Sequence, residues 1–185
     1  MRTPIAAIAG LIASAAFHPF HFWPAIFIGI GILYSLNKNT STKSRIRSNL
    51  IFGIFFQILT LHWIGTYVGS AAWIMLVLMQ ATFFIVLSFT TGAITFALSW
   101  LLFEFILRSF PFGGFGWSRI GYALTESPLN YLYPRISIVG VAFLTVLITA
   151  LVIDNKLKGL AIGLALLALM ALMPVNIIDK GSIKV

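Results

Sequence analysis

Residues 37–49 read "NKNTSTKSRIRSN" and carry Lys38, Lys43, Arg45 and Arg47, four of the chain's 12 lysines and arginines. The run before them, "FWPAIFIGIGILYSL" (22–36), and the run after, "NLIFGIFFQILTLHWIGTY" (49–67), contain no Asp, Glu, Lys or Arg. A helix on the surface of a soluble domain keeps one charged face, whereas runs that are apolar all round belong to buried or membrane-spanning helices. A basic island between two such runs has the form of a short cytoplasmic loop joining two membrane helices.

The rest of the chain repeats the contrast. It is 60% hydrophobic and 9% charged, with mean hydropathy +1.03, where a soluble domain is about one-quarter charged. Seven apolar runs can be marked, near 4–17, 22–36, 49–67, 71–90, 92–107, 135–153 and 159–175. A span needs about 20 residues, so the first two runs predict a tight hairpin of short helices. The fourth and fifth are joined only by Thr90, Thr91 and Gly92, which leaves no room for an extended loop. The expectation is a single all-α integral membrane domain over 1–185, a bundle of about seven transmembrane helices. Gly159 and Gly163 in "GLAIGLALLALMALM" (159–173) are spaced for close helix packing. No internal repeat is evident.

Basic residues set the orientation. Placing 38–47 and Lys156 with Lys158 in the cytoplasm also places Arg2 there, leaving Arg108, Arg119, Arg135, Lys180 and Lys184 outside or at the outer interface. The N-terminus is then cytoplasmic and the C-terminus outside, in a bacterial cytoplasmic membrane. A cleavable signal peptide ending near Ala13-Ser14-Ala15-Ala16 is the weaker reading, because Arg2 is its only basic residue and another apolar run follows at once. Net charge +8 fits anionic lipid headgroups better than nucleic acid, since the cations sit mostly in short loops between apolar runs.

On the outer face the longest break is 108–134, "RSFPFGGFGWSRIGYALTESPLNYLYP". Its glycines and prolines argue against a continuous helix, and its aromatic residues and arginines suit the headgroup layer, so a re-entrant or interfacial segment is expected. The turn "AFHPFHFWPAIF" (16–27) falls on the same face, with Trp23 as an interface anchor and Pro24 opening the second helix.

Few residues can carry chemistry. The chain has no Cys, hence no disulfide and no thiol nucleophile. His18 and His21 flank Pro19 without further ligands, so no metal or cofactor site is assigned. Glu104 stands inside "TFALSWLLFEFILR", where a carboxylate at membrane depth by default suggests function. It either pairs with Arg108 at i+4 as an anchor or meets substrate directly. Asp154 and Asp179, at run ends, read as solvated loop carboxylates. Gln57, Thr60, His62 and Trp63 add polarity to the third run, with interhelical hydrogen bonding the expected use.

Four fragments in order resemble the bacterial apolipoprotein N-acyltransferase family. "AFHPFHFWP" (16–24) resembles its A-F-P-P-F-G-x-W-P hairpin, and "LHWIGTYVGS" (61–70) its W-V-x-x-S stretch. "GFGWSRIGYALTESPL" (114–129) is similar to G-F-P-W-x-x-x-G-Y-S-Q-x-x-x-P-L, with Gly116 in place of Pro and Ala123-Leu124 in place of Ser-Gln. "ISIVGVAFL" (136–144) resembles G-V-Y-G-V-S-F-L. Family members carry an outer nitrilase-like domain whose Glu-Lys-Cys triad moves an acyl chain from phospholipid to a lipoprotein's N-terminal cysteine. No catalytic residue carries over here. The resemblance implies a membrane domain that acts with a separate nitrilase-like chain or is inactive. Its substrate- or lipid-facing candidates are Glu104, Arg108, Trp117, Tyr122, Trp63 and Trp23, and its partners phospholipid and lipoprotein. The alternative is a non-enzymatic scaffold that docks a polyprenol-phosphate mannose synthase-type glycosyltransferase on the 38–47 loop. A transporter or channel fits less well, without paired broken helices or rings of intramembrane charge.

Overall fold

The computed structural model describes residues 2–111 and 113–174. Asp179, Lys180, Lys184 and the expected outer C-terminus lie outside the described residues. The fold is all-helical, with no strand among the described residues. In chain order the α-helices are α1 (Arg2–Ser14), α2 (Pro24–Asn37), α3 (Thr42–Thr60), α4 (His62–Tyr67), α5 (Ser70–Phe83), α6 (Ala93–Ser109), α7 (Ile120–Ala123) and α8 (Tyr133–Ala171). Short 3-10 helices extend α5 (Phe84–Phe89) and precede α8 (Pro128–Leu132). Two stretches are long and apolar enough to cross a membrane by length and composition, Ser70–Phe89 and Pro128–Ala171; α1 and α2 are shorter apolar helices.

The run expected to be one helix over 49–67 is instead two. α3 starts earlier, at Thr42, where the Ser41 side chain caps its first turn by accepting from the Ser44 N–H at 3.4 Å. It stops at Thr60, and α4 begins after a break at Leu61, which turns His62 and Trp63 out of the α3 axis.

α8 is two arms. Asn155 and Lys156 leave helical geometry, and Lys156 has φ +27°. Beyond this corner the chain doubles back: Tyr131 Oη donates to the Leu167 carbonyl at 3.3 Å, and Arg135 Nε to that of Met173 at 3.1 Å. Gly159 faces the Leu151 backbone and Gly163 the Ile148 side chain, where a Cβ would stand 2.8 Å from Ile148 Cγ2. These two glycines therefore form the close packing face that their spacing suggests.

Small residues also set the approach of α1 to its neighbours. Ala6, Ala9, Gly10 and Ala13 are buried along one stripe. A Cβ on Gly10 would stand 2.5 Å from the Phe52 carbonyl oxygen, and one on Gly29 would stand 2.6 Å from Ala13 Cβ. Around this contact runs a connected line of aromatic rings, Phe17, Phe56, Phe84, Trp100, Phe96 and Tyr34, with successive centroids 5.6, 6.0, 5.9, 6.4 and 5.0 Å apart.

The two ends of the bundle differ. At one end Asp154 accepts from Lys38 Nζ at 2.6 Å and from Tyr34 Oη at 2.9 Å. Asp154 is thus an interhelical tie between α2 and the α8 corner, not the solvated loop carboxylate that its place at a run end suggested. Nearby, Asn37 donates to Asn49 Oδ1 at 3.0 Å and Asn49 to Ser88 Oγ at 2.8 Å. Arg45 donates to the carbonyls of Thr40 and Thr90, and Arg2 to that of Leu36. The opposite end carries the 16–23 turn, α4 and the 110–132 segment.

Gly29→Val forces α1 and α2 apart and should lower unfolding free energy by about 1–3 kcal/mol. Gly31→Ala, whose Cβ would stand 3.4 Å from Thr149 Cγ2, should change it by less than about 1 kcal/mol. Detergent unfolding followed by circular dichroism separates the two; equal effects would refute the close-contact account.

Candidate functional site

The carboxylate of Glu104 organises the end opposite Asp154. Position 104 lies on the buried face of α6 with Trp100, Phe103 and Leu107, and Glu104 is 2% exposed. Its partner is not Arg108, as i+4 spacing suggested, but Arg119, whose Nε donates to Glu104 Oε2 at 3.1 Å. The Ile120 N–H donates to Oε1 at 3.1 Å, and Trp100 Nε1 to the same oxygen at 3.4 Å. Arg108 makes no ion pair with the carboxylate among the described residues and lies over the Phe105 ring, 5.2 Å from its centroid. The i+4 expectation fails because position 104 faces the bundle while position 108 is exposed.

Arg119 reaches Glu104 because the chain after α6 folds back at once. The Phe115 N–H donates to the Leu107 carbonyl at 2.8 Å. Gly114 has φ +75° and lies so close to the Arg108 and Ser109 backbone that a side chain has no room, which explains the glycine twice over. From α5, fully buried Gln80 donates to the Phe115 carbonyl at 2.8 Å, and Ser118 Oγ reaches Gln80 Oε1 at 3.5 Å. Gln80 escaped sequence reading. Its signal was available, as the one amide side chain in the charge-free helix Ser70–Phe83.

The fold-back shapes a cavity of about 630 Å³ walled by Arg108, Gly116, Trp117, Arg119 and Tyr122. Three sequence candidates, Arg108, Trp117 and Tyr122, therefore meet at one place, with Glu104 behind Arg119. The Arg119 guanidinium lies 5.8 Å from the Tyr122 ring centroid. Trp117 is exposed and divides this cavity from a second of about 410 Å³, which His18, Thr60, His62, Trp63 and Tyr67 help to line. Trp63, Phe115 and Trp117 form an aromatic group, Trp63 lying 6.1 Å from Phe115 and 6.0 Å from Trp117. Trp23 is not part of this group. It is half-buried against Phe27, at 6.1 Å between centroids, and packs on the core.

The interhelical hydrogen bonds expected of Gln57, Thr60, His62 and Trp63 do not form among the described residues. Thr60 Oγ1 donates to its own helix at Phe56 O, 2.8 Å away, and His62 Nδ1 lies 2.9 Å from Leu59 O. Short hydroxyl side chains on helices readily bond back in this way. Gln57 is fully buried and finds no partner among the described residues. His21 Nδ1 lies 3.9 Å from Glu126 Oε1, both well exposed. No group of three or more metal-ligating side chains occurs among the described residues.

The family model of the apolipoprotein N-acyltransferase N-terminal domain matches residues 9–151. The chain belongs to this family. Similar proteins include apolipoprotein N-acyltransferases of Haemophilus influenzae (28% identical, covering 87% of this chain and 35% of the relative) and Pasteurella multocida (28%, 85% and 33%). A third, from Coxiella burnetii, is 29% identical over 91% of this chain and 40% of its own length. The chain thus spans about a third of the length of the first two relatives. The matched region includes α6, the fold-back and the first arm of α8, so the walls of the cavity are part of the family domain.

Removing one partner of a buried ion pair strands the other charge, at about 3–5 kcal/mol. Glu104→Ala should therefore lower stability by about that amount. The double variant Glu104→Gln with Arg119→Gln keeps a neutral hydrogen-bonding pair and should recover most of the loss. Equal destabilisation by both, in the same unfolding assay, would show that the pair does not hold the fold-back.

Proposed function

We propose that this chain is the membrane domain of an apolipoprotein N-acyltransferase, a bundle of about seven transmembrane helices in a bacterial cytoplasmic membrane. It holds phospholipid and lipoprotein at its outer rim while a nitrilase-like catalytic domain transfers the acyl chain to the lipoprotein's N-terminal cysteine. These 185 residues contain no Cys, so in this reading the acyl-carrying thiol comes from sequence outside them, linked or as a separate chain.

The observation that carries the reading is the union of the family match with the cavity at the Glu104–Arg119 end. An amphipathic donor lipid needs a rim that meets both headgroup and tail. Arg108 and Arg119 offer cations, and Trp117 and Tyr122 offer rings that sit well at a membrane interface. The orientation is supported by Arg2, Lys38 and Arg45 gathering at the opposite end with Asp154.

The scaffold alternative draws on the 38–47 loop as a docking surface. Two of its four cations are already engaged, Lys38 by Asp154 and Arg45 by backbone carbonyls. That leaves Lys43 and Arg47, a small charge for a docking face, which favours the acyltransferase reading.

Co-expression with a nitrilase-like domain supplied as a separate chain should give a complex and N-acylated lipoprotein, detectable by mass spectrometry of the lipoprotein N-terminus. Trp117→Ala should reduce that product about tenfold or more, as loss of a central aromatic contact does. Neither complex nor product would sink the reading. Because the sequence has no Cys, single cysteines report topology directly. Thr125→Cys should react with an impermeant maleimide in spheroplasts and Thr42→Cys only after lysis; the reverse pattern would invert the orientation.

A further inference from the structure

We propose that Arg108 and Arg119 form a phosphate subsite in the cavity beside Trp117, in which the phosphodiester of a phospholipid headgroup lies between the two guanidinia. The inference rests on the reading of this rim as lipid-facing and adds which group on the lipid is recognised, and by what.

Three independent observations lead there. The first is a charge imbalance. Arg108 and Arg119 both wall the cavity, and the carboxylate behind it, Glu104, is engaged by Arg119 Nε, the Ile120 N–H and Trp100. Glu126 lies against His21 instead, and Asp154 at the other end against Lys38. One full positive charge at the cavity is left without a counter-charge among the described residues.

The second is an unmet donor. Arg119 is 7% exposed. Of its five N–H groups only Nε has a hydrogen-bond acceptor among the described residues, and Nη2 is buried with none. A buried guanidinium normally finds acceptors for its donors, because an unpaired buried donor forfeits hydration with no return. Phosphate oxygens match the planar fork of an arginine, two at a time. Arg108 likewise has no acceptor among the described residues, and its guanidinium lies over the Phe105 ring.

The third is a kept gap. A Cβ on Gly116 would stand 3.3 Å from Arg108 Cβ and 3.3 Å from Arg119 Cδ. Position 116 thus lies between the stems of the two arginines, and glycine there keeps the space open. The cavity of about 630 Å³ accommodates a phosphodiester with the first atoms of its substituents. Trp117 and Tyr122, both exposed at its edge, would flank the glycerol side.

The same chemistry suits free inorganic phosphate, so the test separates the sources. In maltoside micelles, which carry no phosphate, calorimetric titration compares dihexanoyl phosphatidylethanolamine, dihexanoylglycerol and inorganic phosphate. The intact protein should bind the phospholipid about tenfold or more tightly than the diacylglycerol, as loss of charged hydrogen bonds predicts. It should also bind the phospholipid more tightly than inorganic phosphate. Arg108→Gln, at an exposed position, and Gly116→Val, which fills the gap, should each remove most of that preference. Arg119→Gln alone strands Glu104, so it is tested together with Glu104→Gln, with helical content as the check on folding.

Equal affinity for phospholipid and diacylglycerol, or an unchanged preference in Arg108→Gln, would overturn the subsite. Inorganic phosphate binding as tightly as phospholipid would overturn the lipid as its source. The measurement needs no catalytic domain. Loss of N-acylation with the phosphate preference intact would therefore count against the acyltransferase reading and leave the subsite standing.

Discussion

A carboxylate buried within an apolar helix fixes what the rest of its end of the bundle must do. Glu104 cannot stay 2% exposed and unpaired. Its cation comes from 15 residues further along the chain, so the segment after α6 has to reverse at once and lie back over the helix end. That requirement accounts for the positive φ of Gly114, the Phe115–Leu107 bond and the fastening of the loop by Gln80. Arg108, Trp117 and Tyr122 wall a cavity because the chain between them is pinned at both ends. The ion pair does not by itself make the fold stable, since pairs of this kind roughly offset their own desolvation. Its effect is specificity, as it excludes arrangements that leave the loop elsewhere.

Packing of the helices follows a different rule. Lipid tails are as apolar as leucine, so burying apolar surface gives little drive between membrane helices, and close backbone approach takes its place. The Ala6–Ala9–Gly10–Ala13 stripe, Gly29, and the Gly159–Gly163 pair each bring one backbone onto another. α1, at 13 residues, spans about 20 Å, less than the hydrocarbon thickness of about 30 Å. Seated against α2 and α3, α1 is held by its neighbours more than by lipid. Polar ties appear mainly at the ends, where Asp154 and Asn49 join helices at one and Glu104 and Gln80 fasten the loop at the other.

Much of this was legible before the structure. Helical class came from uncharged runs, the short first pair from their length, and the packing face of the last helix from two glycines four apart. Partnerships were not legible. The i+4 rule nominated Arg108 for Glu104, but it describes residues on one exposed face and says nothing when one of them faces the interior. Asp154 looked solvated because its partners, Tyr34 and Lys38, are more than a hundred residues away in sequence. Thr60 and His62 looked free to bridge helices, yet the carbonyls of Phe56 and Leu59, four and three residues back, were nearer. Local spacing reports local geometry, and the ties that define the candidate site are long-range.

The chemistry that remains available at the Glu104 end is selective. Its two cations and its exposed rings can recognise an anionic, amphipathic molecule, but acyl transfer also needs a nucleophile held beside a base. The sequence has no Cys. Glu104 is committed to three donors, and its role is to position Arg119. Among the described residues the one imidazole near a carboxylate, His21 beside Glu126, is exposed and stands 3.9 Å from it, too long for the hydrogen bond that orients a base. In the proposed acyltransferase reading, binding falls to this rim and the reacting thiol to sequence outside these 185 residues. In that reading the proposed phosphate subsite would fix how far a lipid's ester stands from an incoming thiol. In a transfer between two membrane-bound substrates, that distance governs rate, because positioning supplies much of the catalytic advantage of any enzyme that joins two reactants.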